Sequence, residues 1–131
     1  MSNKVTAKTA DVKYKTEVQS TNHTFVSDEP LDLDGGDLGP NPGEYLSAAL
    51  AACTSITVKM YAERSGWDLK EVLVEVDYEK DSNTNTTKFI KKVELIGDLD
   101  EKEKDRLFKI SQRCPIQKAL EGPIEVTSEL K

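Results

Sequence analysis

Residues 45–58 are 14 consecutive uncharged residues in a chain of 131 of which 32% are charged. Signals for a helix surround the run. Asn41 is placed to be an N-cap, Pro42 suits the first helical position, and Glu44 falls three after the cap, where it can close a capping box. Gly66 is placed beyond Ser65 to end the helix in a left-handed conformation. Such a helix is about 36 Å long at about 1.5 Å per residue. Leu46, Ala49, Leu50, Cys53, Ile56, Thr57 and Met60 form one face, yet Ala48, Ala51, Ala52 and Val58 make the rest apolar too. A helix apolar nearly all round has to be covered nearly all round. Its uncharged run is also too short for a membrane span, falling well below the roughly 20 residues required.

The rest of the chain supplies the cover. Residues 12–19 and 23–27 read as two strands joined by the polar turn at 20–22. Residues 28–43 are rich in Gly, Pro and Asp and form a long loop, a kind of segment that is often functional. After the helix, Val72, Val74, Val76 and Tyr78 alternate with Glu75, Asp77 and Glu79 as a half-buried strand. A polar hairpin loop at 81–86 leads to a returning strand at 88–96. Asp100 caps a second helix through Glu103, running to about Arg113 with Leu107, Ile110 and Cys114 on one stripe. Pro115 opens a short helix that ends at Gly122, and 124–129 read as a last strand. The expected order is β-β-α-β-β-α-α-β, an α+β fold in a single domain over 1–131. Two small half-buried sheets cannot enclose the central helix alone, so a homodimer is expected.

Charge and cysteine usage narrow the function. A net charge of −6 argues against nucleic acid or an anionic membrane as partner. The first 20 residues contain no apolar segment of the secretion-signal kind. The expected location is cytoplasmic, where thiols stay reduced. Cys53 and Cys114 are the only cysteines, no Cys-x-x-Cys occurs, and His23 is the single histidine. Neither a disulfide framework nor a zinc site is supported, and no metal or cofactor is expected. The acidic loop at 28–37 reads as a solvated surface, since its spacing repeats no calcium or zinc pattern. Chemistry therefore falls to the two thiols, each of which could also be a small buried hydrophobe. Cys53 is mid-helix, beyond the reach of the helix dipole, with Ala49, Leu50, Ile56 and Thr57 one turn away. A thiol in that setting is inert unless a cation or donor stabilises its thiolate. Cys114 is expected to be the N-cap of the Pro115 helix, with Arg113 adjacent, and to ionise more easily.

These residues also carry a family likeness. His23, Asp28-Glu29-Pro30, Gly35-Gly36, and Gly39 through Leu46 lead to Ala48-Ala49-Leu50-Ala51-Ala52-Cys53. About sixty residues later come Arg113-Cys114-Pro115-Ile116, preceded by Gly97-Asp98-Leu99-Asp100. The whole, over 12–130, resembles the OsmC/Ohr superfamily. The resemblance implies an intertwined homodimer with long central helices packed between two sheets. It implies thiol-dependent reduction of organic hydroperoxides, with Cys53 as the peroxidatic thiol, Cys114 as the resolving thiol and an external dithiol, of lipoyl type, as reductant. The apolar neighbours of Cys53 fit an alkyl-bearing peroxide.

The chain departs from the family's peroxidases in one respect. There, an arginine from the N-terminal strands stabilises the thiolate and a glutamate ten residues before the cysteine holds that arginine. Here no arginine precedes Arg64, and the residue ten before Cys53 is Gly43. Glu44, nine before, matches the glutamate of a broader OsmC-like subgroup. At about 100° per residue it lies on the opposite helix face from Cys53, about 13 Å along the axis. It is thus a candidate catalytic residue or simply a cap. Lys13, Lys15 and Arg113 are the candidate replacement cations. Gln117 stands where many relatives have histidine, and His23 is either structural or catalytic. A non-catalytic dimer that binds a small apolar ligand between its helices is the alternative reading.

Overall fold

The structure, a computed structural model, describes residues 2–131. The chain divides into two compact units, Met1–Leu46 and Ser47–Lys131, with the boundary near the start of the long helix.

The first unit is an antiparallel meander of β1 (Thr6–Thr9), β2 (Thr16–Gln19) and β3 (Thr24–Ser27), followed by a loop. Val18 of β2 sits opposite Ala7 and Phe25. The Phe25 ring packs at 5.3 Å from that of Tyr45, whose hydroxyl donates to the Val26 carbonyl at 2.6 Å. The loop is organised by the buried carboxylate of Asp28. One oxygen accepts from the Tyr14 and Glu29 N–H groups at 2.9 and 2.7 Å, the other from Leu38 at 3.2 Å. Burial opposes ionisation of Asp28, but the N–H groups of Glu29, Leu38, Tyr14 and Gly36 together outweigh it and lower its pKa. The loop is therefore more than the solvated acidic surface its composition suggests. A Cβ at Gly35 would collide with the Glu29 carbonyl, and the turn depends on that close approach.

The second unit contains most of α1 (Pro42–Ser65), the hairpin of β4 (Asp68–Asp81) and β5 (Thr86–Asp98), α2 (Glu101–Ser111) and α3 (Pro115–Glu121). Val72, Val74, Val76 and Tyr78 lie opposite Leu95, Val93, Lys91 and Phe89. Opposed residues of an antiparallel pair share a face, so these eight side chains, all half-buried, make the inner face of the hairpin. Val58, Ala62, Leu69 and Leu107 form the closed core, with Trp67, Val72, Leu95 and Leu99 packed around it. α2 begins with the expected capping box of Asp100 and Glu103. α1 buries one stripe, Leu50, Thr54, Val58 and Ala62, at the four-residue spacing of a single face. On another face Ile56 and Met60 are 56% and 50% exposed.

The α+β class is as expected, but the strands at the ends are not. The strand expected over 12–19 begins only at Thr16, because 12–15 are taken up by a turn. A further strand, β1, precedes it; every residue of β1 is exposed, so no apolar alternation announces it. Residues 124–129, expected to be the last strand, pair with no strand among the described residues. Ile124 and Val126 are exposed there. Alternation says that a segment can lie on a sheet and nothing about where its partner is. The observed order is β-β-β-α-β-β-α-α.

Candidate functional site

Four elements of the second unit meet at the two thiols. Cys53 and Thr54 come from the middle of α1. Cys114 is the N-cap of α3, with Pro115 at the first helical position, as the sequence suggested. Its sulfur accepts from the Gln117 N–H at 3.3 Å, satisfying one of the donors that a helix start leaves free. β5 contributes Lys91, and α2 ends nearby at Ser111.

The polar contacts form a directed chain. Lys91 Nζ donates to the Thr54 hydroxyl at 3.1 Å, to the Ser111 carbonyl at 2.7 Å and to Gln117 Oε1 at 2.6 Å. An ammonium cannot accept, so the Thr54 oxygen is the acceptor and its single hydrogen is left for Cys114 Sγ, 3.6 Å away. Gln117 is fixed by its amide nitrogen, which donates to Gln112 and Glu121 at 3.3 and 3.2 Å. Thr54 and Cys114 are wholly buried and Cys53 is half-buried. Neither cysteine is in a disulfide.

These contacts set the ionisation. Burial pushes the Cys114 pKa up, but donation from Thr54, the Gln117 N–H and the neighbouring Cys53 thiol, with the charge of Lys91, brings it below the ordinary thiol value. Lys91 is itself lowered, chiefly by desolvation and against the pull of Cys114, Glu121 and Cys53. Beside this cluster lies a cavity of about 440 Å³ with Leu50, Phe89, Phe108 and Leu120 on its apolar wall and Lys91 and Gln117 on its polar one. Among the described residues no group of three or more His, Cys, Asp or Glu side chains is placed to hold a metal.

A family model described as OsmC-like protein matches residues 35–129, well over half of the chain. The chain belongs to the OsmC-like protein family. Its fold is similar to that of an OsmC like protein from Mycoplasma pneumoniae, with a TM-score of 0.78 at 21% identity, covering 93% of this chain and 89% of that one. It is also similar to the organic hydroperoxide resistance protein OhrB of Bacillus subtilis, with a TM-score of 0.65 at 24% identity over 100% and 98% of the two chains. An organic hydroperoxide resistance protein from Elizabethkingia anophelis aligns with a TM-score of 0.61 at 25% identity, over 95% and 93%. No curated protein matches the sequence.

In this OsmC-like chain the cysteines singled out from sequence are neighbours, while the other expected residues have different surroundings. Glu44 closes a capping box with Asn41: its N–H donates to Asn41 Oδ1 at 2.8 Å and its carboxylate accepts from the Asn41 N–H at 3.0 Å. His23 is exposed and its backbone bonds Ser20 in the turn before β3. Arg113, although next to Cys114, is exposed, and the cation at the thiols is Lys91. Of the residues around Cys53, Leu50 is buried and Thr57 half-buried, but Ala49 and Ile56 are exposed, so one chain does not close an apolar pocket there. The sequence did hold a signal for Lys91. On the returning strand, Phe89, Lys91, Val93 and Leu95 share one face, and a lysine interrupts an apolar row.

Proposed function

We propose that the chain is a thiol-dependent reductase of organic hydroperoxides and acts as a homodimer. The observation that carries this reading is the meeting of Cys53 and Cys114, 61 positions apart in sequence, beside a fully hydrogen-bonded ammonium. The Cys53 thiolate attacks the outer peroxide oxygen, the O–O bond breaks, and an alcohol leaves after taking a proton. Cys53 is left as a sulfenic acid. The Cys114 thiolate attacks that sulfur and expels hydroxide, which is protonated to water. An external dithiol, of lipoyl type, then reduces the Cys53–Cys114 disulfide by exchange. Cys53, the more accessible of the two, suits the attacking role, and a resolving thiol is fastest when its pKa lies near ambient pH. The names of the Bacillus and Elizabethkingia proteins support the substrate class.

A second copy would cover the face of α1 that leaves Ile56 and Met60 exposed and would complete the pocket at Cys53. It would also offer a sheet edge to residues 124–129. No described helix is long and apolar enough to cross a membrane, and the proposed setting is the reducing cytoplasm. Glu44 enters this scheme as the cap that starts α1, the helix carrying Cys53. The cavity beside Lys91, which neither cysteine lines, favours a second reading, a protein that binds a small apolar ligand.

Consumption of cumene hydroperoxide with a dithiol, against a Cys53→Ser control, separates the two. The peroxidase reading requires turnover well above that control, and turnover equal to it leaves the binding reading. Under excess peroxide, Cys114→Ser is expected to accumulate over-oxidised Cys53, and peptide mapping of the oxidised wild type to show the Cys53–Cys114 link.

A further inference from the structure

Lys91 lies on an apolar face, between Phe89 and Val93, which is an unfavourable place for a lysine. Its surroundings are nevertheless built for a charge. Three acceptors from three elements converge on Nζ: the Thr54 hydroxyl of α1, the Ser111 carbonyl at the end of α2 and the Gln117 amide of α3. Three acceptors match the three donors of an ammonium, one more than a neutral amine carries.

All three acceptors are uncharged, and among the described residues no carboxylate lies within ion-pair distance of Lys91. The ionisable groups that face it are Cys53 on α1 and Cys114 and Glu121 on α3, while α2 presents only the Ser111 carbonyl. Glu121 is engaged elsewhere, by Lys118 at 3.8 Å and by the Gln117 amide at 3.2 Å. A half-buried positive charge with no anion in contact is costly, and an anion nearby relieves it. The two sulfurs remain. One of them is already joined to Lys91 through Thr54, whose hydrogen points the right way.

We propose that Lys91 is a positioning residue that, through the Thr54 hydroxyl, keeps the Cys53–Cys114 pair as a monoanion, with one proton shared between the two sulfurs. The role of that monoanion in turnover rests on the peroxidase reading above. When the proton passes from Cys53 to Cys114, Cys53 becomes the thiolate that attacks the peroxide. The S–O bond forms as the O–O bond breaks, Cys53 is oxidised by two electrons, and the departing alkoxide takes the proton from Cys114. Cys114 is thereby left as the thiolate required to attack the sulfenic sulfur. One proton serves both steps, and Lys91 is the cation that keeps it in place in a chain with no arginine before Arg64.

The test is the pH profile of iodoacetamide alkylation at Cys53, measured on the reduced protein by peptide mass. Lys91→Met and Lys91→Gln are expected to slow alkylation at pH 7 by about tenfold or more, with the rate recovering at higher pH. Lys91→Arg, which keeps the charge, is expected to stay close to wild type. Folded neutral variants with the wild-type profile would overturn the proposal. If neither neutral variant folds, Thr54→Val decides: it leaves the Lys91 charge but removes the hydrogen bond that favours the anion on Cys114, so the shared proton moves onto Cys114 and alkylation at Cys53 must speed up at neutral pH. An unmoved profile there also overturns the proposal. Because alkylation needs no peroxide, failure of turnover with a shifted profile rejects only the peroxidase reading. Turnover with an unshifted profile rejects only the role of Lys91.

Discussion

Replacing Thr54 by valine keeps the shape of a side chain that is wholly buried and removes the one oxygen that connects Lys91 to Cys114. No cavity is created, so the cost comes from hydrogen bonding. The contact from Lys91 at 3.1 Å is a charge-assisted bond, worth about 1.5–3 kcal/mol. The contact to sulfur at 3.6 Å is longer and weaker, and its loss adds at most about 1 kcal/mol. Burying a methyl in place of a hydroxyl returns about 1 kcal/mol. Lys91 keeps Ser111 and Gln117 as acceptors but leaves one N–H unsatisfied. The net expectation is a loss of about 1–3 kcal/mol. For a chain of this size about 1 kcal/mol corresponds to about 4 °C, so the melting temperature should fall by about 4–12 °C.

Thermal unfolding followed by circular dichroism measures this, at fixed protein concentration because a dimer's melting temperature depends on it. Thr54→Ser is the matched control. It keeps the hydroxyl and deletes a buried methyl, at about 1 kcal/mol, with thiol reactivity unchanged. A Thr54→Val protein as stable as wild type would refute the reasoning, since the relay would then contribute nothing to the fold.

Sedimentation equilibrium at micromolar concentration should give twice 14.6 kDa, and Met60→Glu, on the exposed face of α1, should shift the protein toward monomer; a well-folded wild-type monomer excludes the dimer. Glu44→Ala removes half of a capping box and should cost about 0.5–2 kcal/mol while leaving Cys53 alkylation unchanged. A loss of turnover without a loss of stability would instead make Glu44 catalytic. Asp28 has its pKa lowered by folding, so it contributes stability that is fully present above the unfolded value and lost as pH falls through the folded one. Asp28→Asn should therefore be less stable at neutral pH and show a shallower acid limb in its stability profile, and an unchanged acid limb would remove Asp28 as the organiser of its loop.

What could be read from the sequence was what is encoded locally. The caps at Asn41, Asp100 and Cys114 each depend on residues within four positions, and all three are present in the structure. The alternation of Val72, Val74, Val76 and Tyr78 likewise fixes an inner face without knowledge of the partner strand. β1 and residues 124–129 failed for the opposite reason. One pairs through its backbone with no apolar pattern, and the other has the pattern with no partner in the described chain. Asp28 was hidden because its carboxylate is satisfied by Tyr14, 14 positions earlier, and Leu38, 10 later.

Lys91 lies between these cases. Its place on the inner face follows from its own strand, where Phe89, Val93 and Leu95 share its parity. What makes that place tolerable does not follow, because the acceptors lie 37, 20 and 26 positions away on three helices. A lysine on an apolar face has few stable solutions: its stem can reach water, it can lose its proton, or polar groups from elsewhere can close around it. Half burial and three occupied donors indicate the third. Once that solution is adopted the charge needs an anion, and the groups that face it are Cys114, Glu121 and Cys53. On the proposed reading, the lack of any arginine before Arg64 and the presence of Lys91 are one fact viewed from two places in the chain. The proposed peroxidase requires a cation at its thiols, and in this sequence Lys91 of β5 is placed to supply it.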